Sequence, residues 1–297
     1  MSLTNDDTGN DSAHATVTTY LITGASRGLG QAVAMEAAAT AAASKESSIR
    51  LVLVARSVNG LEETKLAIQS ILSTNVSITT RVMDLADMET LEKHWDGLLQ
   101  DVLILEEDTT HHNIIFVNNA GSLGHVGPCS TTPSLRDLRQ TVDLNVTGSL
   151  WQSVRLIQHV KQNQPANRAL LVANLTIVNV SSLVAISNDF VTMGIYSACK
   201  GARDKYHAIM ANEEEGADNS TPCNIIIKTL SYAPGPLETA MTESLRHAAQ
   251  MDKTVQQNFH KPLLDARDSA KTLIRLLQAN SFSSGAHIDY YDLPDND

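Results

Sequence analysis

From Val17 onward the chain alternates between two hydrophobic patterns. Short apolar runs rich in β-branched residues recur at intervals, and stretches with helical spacing lie between them. The short runs predict strands over 17–23, 51–55, 77–83, 114–117, 175–180, 224–230 and 286–290. Leu51-Val-Leu-Val-Ala55 is apolar throughout, as expected of a strand covered on both faces. Helices are predicted over 31–43, where alanine dominates, and over 61–72, 87–99, 135–162, 195–214 and 267–278. This alternation predicts an α/β fold, a single Rossmann-type doubly wound parallel sheet with helices on both faces.

Two polar stretches interrupt the alternation. Residues 101–113, with Glu106, Glu107, Asp108, His111 and His112, and residues 213–221 read as solvated loop insertions. His111 and His112 have no nearby cysteine or helically spaced histidine, so a surface loop is preferred to a metal site. Residues 1–16 are polar, with neither a basic nor an apolar signal region, and read as a disordered leader. Residues 17–293 form the predicted domain and 294–297 a tail.

Composition adds mostly exclusions. Hydrophobic residues are 42% of the 297, enough to build a core and to exclude wholesale disorder. Asp plus Glu total 33 against 22 Lys plus Arg, a net charge of −11 that disfavours non-specific binding to nucleic acid or anionic membrane. No apolar run approaches the roughly 18 residues of a membrane span. Cys129, Cys199 and Cys223 are too few and too scattered for a disulfide framework or a zinc site. They fit a reducing compartment, and the cytoplasm is the expected location.

The first predicted strand runs into Thr23-Gly-Ala-Ser-Arg-Gly-Leu-Gly30. A dinucleotide pyrophosphate needs a tight strand-to-helix turn, close approach of backbone and free N–H groups at a helix start. Gly24, Ala25, Ser26, Arg27, Gly28, Leu29 and Gly30 are therefore candidate cofactor contacts. The second strand ends in Arg56-Ser57, without the carboxylate that commonly holds a ribose 2′-hydroxyl. Arg56 together with Arg27 favours the 2′-phosphate of NADPH. Asp84 and Leu85 after the third strand are candidates beside the adenine, and Asn119 in Asn118-Asn-Ala-Gly121 lies next to the dinucleotide.

Tyr196 and Lys200 are spaced i,i+4, which puts both on one helix face. An ammonium close to a phenol is expected to lower the phenol's pKa towards the working range. Ser181-Ser182 ends the fifth strand, where a hydroxyl can meet a carbonyl oxygen. Asn145 is a polar group inside a helical stretch, where an unpaired amide is costly and a structural or water-binding role is expected.

These motifs occur in the order found in the short-chain dehydrogenase/reductase family, which the chain resembles from about Val17 to Tyr291. The resemblance implies carbonyl reduction by hydride from NADPH, with Tyr196 as proton donor and Ser182 orienting the carbonyl. Lys200 would hold the nicotinamide ribose, Asn145 would anchor a relay water, and Leu237 and Thr239 would cover the nicotinamide half. It also implies a homodimer paired through 135–162 and 195–214. The Ser182–Tyr196 interval is one residue longer than the family norm, so Ser181 stays open as the working hydroxyl.

Finer wording in 118–124, 201–204, 232–239 and 284–292 resembles the pterin-reducing branch of the family. It implies that Asp289 grips the pterin ring and that Gly235 lies beside the substrate. A carboxylate can accept two adjacent N–H donors of an aminopyrimidinone edge in a fork. Without that branch the expected substrate is another small ketone or diketone. A non-catalytic NADP-binding regulator is disfavoured because Tyr196, Lys200, a serine and Asn145 are retained together.

Overall fold

β-Branched and apolar runs form β1 (Ala15–Thr23), β2 (Ser47–Ala55), β3 (Val76–Val82), β4 (Thr109–Asn118), β5 (Val172–Val180), β6 (Ile225–Ala233) and β7 (Ala286–Asp289). They join in one parallel sheet of order β3-β2-β1-β4-β5-β6-β7. A computed structural model describes residues 15–43, 47–71, 76–103, 109–131, 134–163, 172–216 and 225–293. Most of the predicted leader, the tail 294–297 and parts of both predicted loop insertions lie outside the described residues.

The period of two along each strand sorts side chains to opposite faces. Tyr20, Ile22, Leu51 and Leu53 pack with α1 (Gly28–Ala43), α2 (Val58–Gln69) and α9 (Ala266–Ala279). Leu21, Val52, Val54 and Phe116 pack on the other face with α3 (Leu91–Val102), α5 (Ser149–Gln162) and α6 (Gly194–Glu215). Buried Ala34, Ala37 and Ala38 keep α1 thin where it meets the first of these clusters. The fold class is the predicted one. Strand order reverses between β1 and β4, which opens a crevice at the carboxyl ends of the strands.

Several local expectations are corrected. The polar run before 114 is not all loop, because β4 begins at Thr109 and includes His111 and His112. His112 is 1% exposed, and its Nε2 lies 2.9 Å from Thr19 Oγ1 on β1. A cross-strand hydroxyl thus lets a polar residue start a buried strand. Helix α6 runs through Glu215, so 213–215 are helical. The stretch 135–162 is α4 (Leu135–Val142), a π-helical turn over Asp143–Gly148, and α5. Two unforeseen short helices, α7 (Ala240–Arg246) and α8 (Lys253–Asn258), follow β6. No helix among the described residues is long and apolar enough to cross a membrane.

Burial pushes the imidazoles of His112 and His207 down to about 4, well under the usual 6.5. Both are therefore neutral in the fold at neutral pH, while the unfolded chain takes up protons as pH drops below 6.5. Stability should be full above that value and decline between pH 6.5 and 4, by about 2 kcal/mol per histidine at pH 5. Denaturant titrations at pH 7 and pH 5 measure the decline, and His112→Asn should make it shallower.

Candidate active site

The crevice is built first from the turn that leaves β1. Gly24 and Gly28 have φ of +68° and +58°, the region where side chains are strained. A Cβ on Gly24 would lie 2.7 Å from Asn119 Nδ2. One on Gly30 would lie 2.7 Å from the same nitrogen and press on the Gly24 carbonyl. At Gly28 a Cβ would meet only Thr239, at 3.4 Å, so this glycine faces the segment after β6 rather than the core. Asn119 closes the turn: its Nδ2 donates to Thr23 O at 2.8 Å, and its backbone N–H donates to Thr23 Oγ1 at 3.0 Å.

The other predicted cofactor residues divide by exposure. Ala25 and Leu29 are buried, so only their backbone can face a dinucleotide. Ser26 is half-buried, and Arg27, Arg56 and Ser57 are exposed. Neither Arg27 nor Arg56 is ion-paired with a carboxylate among the described residues. Ser57 Oγ accepts from Gly60 N at 3.1 Å and caps α2, a structural use that sequence reading missed. Asp84 is exposed with Oδ1 accepting from Ala86 N at 3.1 Å, and Leu85 is buried. These residues fit a dinucleotide phosphate: glycine-lined backbone at a helix start, with two exposed guanidinium groups.

Tyr196 and Lys200 share one face of α6 as predicted, with Lys200 Nζ 5.5 Å from the tyrosine ring centre. Both are buried, and Lys200 Nζ donates to Val180 O at the end of β5. The electrostatics differ from expectation. Burial pushes the Tyr196 phenol up to about 12, opposed chiefly by the Arg203 charge. Burial, and then the Arg203 charge, also drive the Lys200 ammonium's own pKa well below its usual value. Desolvation outweighs the short-range charge.

Asn145 is fully buried in the π-helical turn, an irregularity often found at functional sites. Its Nδ2 donates to Ser122 O at 2.9 Å and Thr141 O at 3.0 Å, and its Oδ1 accepts from Ser122 N at 3.0 Å. Both amide hydrogens are spent on backbone carbonyls, so the side chain fastens the loop after β4.

The two serines separate clearly. Ser181 is buried and its Oγ donates to Asp204 Oδ2 at 2.8 Å. Ser182 is half-buried, and its Oγ only accepts a long 3.5 Å contact from Val184 N. Among the described residues the hydroxyl hydrogen of Ser182 has no acceptor, whereas that of Ser181 is in use.

Leu237 is buried and bridges to Leu264, and Thr239 caps α7 in a reciprocal bond with Thr242. Met241 Sδ lies 4.0 Å from Tyr196 Oη. Tyr196 also joins Val184, Met193, Leu245, Met251, Val255 and Phe259 in an apolar cluster that seats α7 and α8 over the crevice. Gly235 has φ +76°, and a Cβ there would touch Tyr291 at 3.4 Å and Leu264 at 3.6 Å. It is packed by the C-terminal turn. Asp289 ends β7, pairs in register with Ala233, and its Oδ1 accepts from Tyr291 N at 3.0 Å. Ser182, Gly235 and Asp289 follow or end β5, β6 and β7, so the parallel sheet delivers all three to one edge.

Sequence reading passed over Arg203, Asp204 and His287. Arg203 is wholly buried, with Nε donating to Asn179 Oδ1 at 2.7 Å and the guanidinium also reaching the carbonyls of Asn118 and Ala120. A charged pair inside an otherwise regular helix next to Lys200 was the available signal.

Comparison with known proteins agrees with this geometry. A family model described as short chain dehydrogenase matches residues 18–250. The chain belongs to that family. It is therefore an oxidoreductase by family membership. Sepiapterin reductase of Rattus norvegicus is 33% identical over 92% of this chain and 96% of its own length. Benzil reductase ((S)-benzoin forming) of Bacillus cereus is 26% identical over 89% of this chain and 96% of its own. Among solved structures, NAD+-bound xylitol dehydrogenase superposes with a TM-score of 0.66 at 18% identity, covering 94% of this chain and 98% of that one. At that identity the likeness concerns the fold.

The glycine contacts make a direct prediction. Gly30→Ala drives a methyl into the Gly24 carbonyl and the Asn119 amide, both of which are held by other bonds. Stability should fall by about 2 kcal/mol, as for an overpacked core. Gly97→Ala, on α3 with open space around it, should be neutral or slightly stabilising in the same denaturant titration.

Proposed function

We propose that the chain is an NADPH-dependent reductase of the side-chain carbonyl of a 6-substituted pterin, acting in tetrahydrobiopterin formation as sepiapterin reductases do. The observation that carries this reading is the 33% identity to the rat enzyme along 92% of this chain. Asp289, at the same sheet edge as Ser182, supports a pterin over a plain ketone.

Bound NADPH supplies the hydride. Gly24 to Gly30 present backbone N–H groups to its pyrophosphate, while Arg27 and Arg56 meet the 2′-phosphate. Asp84, Leu85 and Asn119 line the adenosine and central parts, and Leu237 and Thr239 cover the nicotinamide half. Lys200 sits beside the ribose. Tyr196, whose phenol is pushed up to about 12, keeps its proton at neutral pH and gives it from Oη to the substrate oxygen. Ser182 donates its uncommitted hydroxyl hydrogen to the same oxygen and fixes the carbonyl's direction. Asp289 accepts the pterin's adjacent N–H donors, beside Gly235, and selects which carbonyl enters. The reading includes a homodimer and a cytoplasmic location. Light scattering should give twice the 32.1 kDa chain mass.

The second reading, reduction of a small diketone, is favoured by the match to benzil reductase. Loss of reduced-nicotinamide absorbance with sepiapterin decides between them. Rapid loss with a diketone and none with sepiapterin would remove the pterin assignment. Tyr196→Phe should cut kcat by about a hundredfold or more on either substrate, the usual worth of a positioned acid. Asp289→Ala should raise KM for sepiapterin about tenfold and leave the diketone unaffected. Replacing Arg27 and Arg56 with alanine should cost NADPH at least about tenfold in KM while barely changing NADH.

A further inference from the structure

Asp204 lies on α6 four residues beyond Lys200 and is mostly buried, its side chain 13% exposed. Its Oδ1 accepts from Asn179 Nδ2 at 2.7 Å, and its Oδ2 accepts from Ser181 Oγ at 2.8 Å. The same Oδ2 is 2.7 Å from His287 Nδ1. His287 belongs to β7, which has only four residues and pairs with β6 alone at the sheet's edge. A strand that short with one neighbour is a low-stability element and needs a further hold. His287 and Asp289 are two apart in β7, so both project from the same face.

We infer that the Asp204–His287 contact is a positioning device that fixes β7 on the helix carrying Tyr196 and Lys200. It thereby sets where Asp289 stands relative to the reacting carbonyl. The substrate side of this inference rests on the proposed pterin reading.

The chemistry suits a tether. The carboxylate of Asp204 is held below its usual pKa by the His287 and Ser181 hydrogen bonds, against the opposing effect of burial. The His287 imidazole is raised above its usual value, first by that bond. Asp204 faces it from α6, and Asp289 and Asp292 face it from its own strand and the turn beyond. Lys200 and Arg203, on the same helix, both face Asp204. The ion pair is intact below the raised histidine pKa and loses its charge as pH rises through it. Asn179 and Ser181, at the end of β5, connect the same carboxylate to the serine pair. One group thus coordinates the ends of β5 and β7 with the middle of α6.

The test uses the full chain with His287→Phe, which removes the tether, and His287→Asn, whose amide can take the place of Nδ1. Hydrogen exchange over 286–293 should quicken at least about tenfold in His287→Phe and return towards wild type in His287→Asn. KM for sepiapterin should rise about tenfold in His287→Phe, with kcat and KM for a simple diketone within about twofold of wild type. In wild type the sepiapterin KM should climb as pH rises through the His287 titration, and this limb should vanish in His287→Asn. Unchanged exchange in His287→Phe overturns the tether whatever the substrate is. Faster exchange with equal losses on both substrates overturns the specificity role. If Asp289→Ala leaves sepiapterin KM unchanged while exchange in His287→Phe quickens, the tether stands and the pterin reading fails.

Discussion

Two buried basic side chains on one helix constrain the whole crevice. Lys200 and Arg203 are 3% and 0% exposed, and α6 delivers both to the carboxyl ends of β4 and β5. Removing charge from water is costly unless each N–H finds an acceptor, and stripping a buried charge of its partner costs about 3–5 kcal/mol. The acceptors here are backbone carbonyls that a parallel sheet leaves over at its ends: Val180 O for Lys200, and Asn118 O and Ala120 O for Arg203. The loop after β4, the serine pair after β5 and the start of α6 must therefore keep one relative position.

The same constraint explains the inversion of the predicted electrostatics around Tyr196. The spacing of tyrosine and lysine shows proximity, and proximity alone suggests a lowered phenol pKa. Burial is a tertiary property. It raises the phenol and lowers the ammonium, and the Arg203 charge lowers both. Arg203 keeps its charge because burial brings it only to about 10.

What the sequence made legible was whatever is encoded in local period or in short chemical words. The seven strands, the glycine turn and the Tyr196–Lys200 pair are of that kind. Boundaries failed where tertiary partners decide. His111 and His112 read as loop because two histidines beside acidic residues look solvated. Thr19 on β1, far away in sequence, makes His112 a strand residue. Helices α7 and α8 are seven and six residues long, too short for a periodic signal, and are held by capping bonds and the cluster around Tyr196. The choice between Ser181 and Ser182 was open for the same reason: only the fold shows that Asp204 engages one of them.

Net charge is the coarsest descriptor of all, and the ion pairs show why. At −11 the chain as a whole repels anions. Yet the described surface spends many basic groups locally: Arg155 on Asp96, Lys161 on Glu214, and Arg246 on Glu238 and Glu243. Among the described residues, Arg27 and Arg56 have no such carboxylate partner. Their positions flank the turn whose glycines admit backbone to a phosphate. With a screening length of about 8 Å at physiological salt, the field at that turn is set by near groups more than by the chain's net charge. The acidic excess therefore disfavours a polyanion, which must run along many ångströms of surface. It carries no such objection to a compact anion.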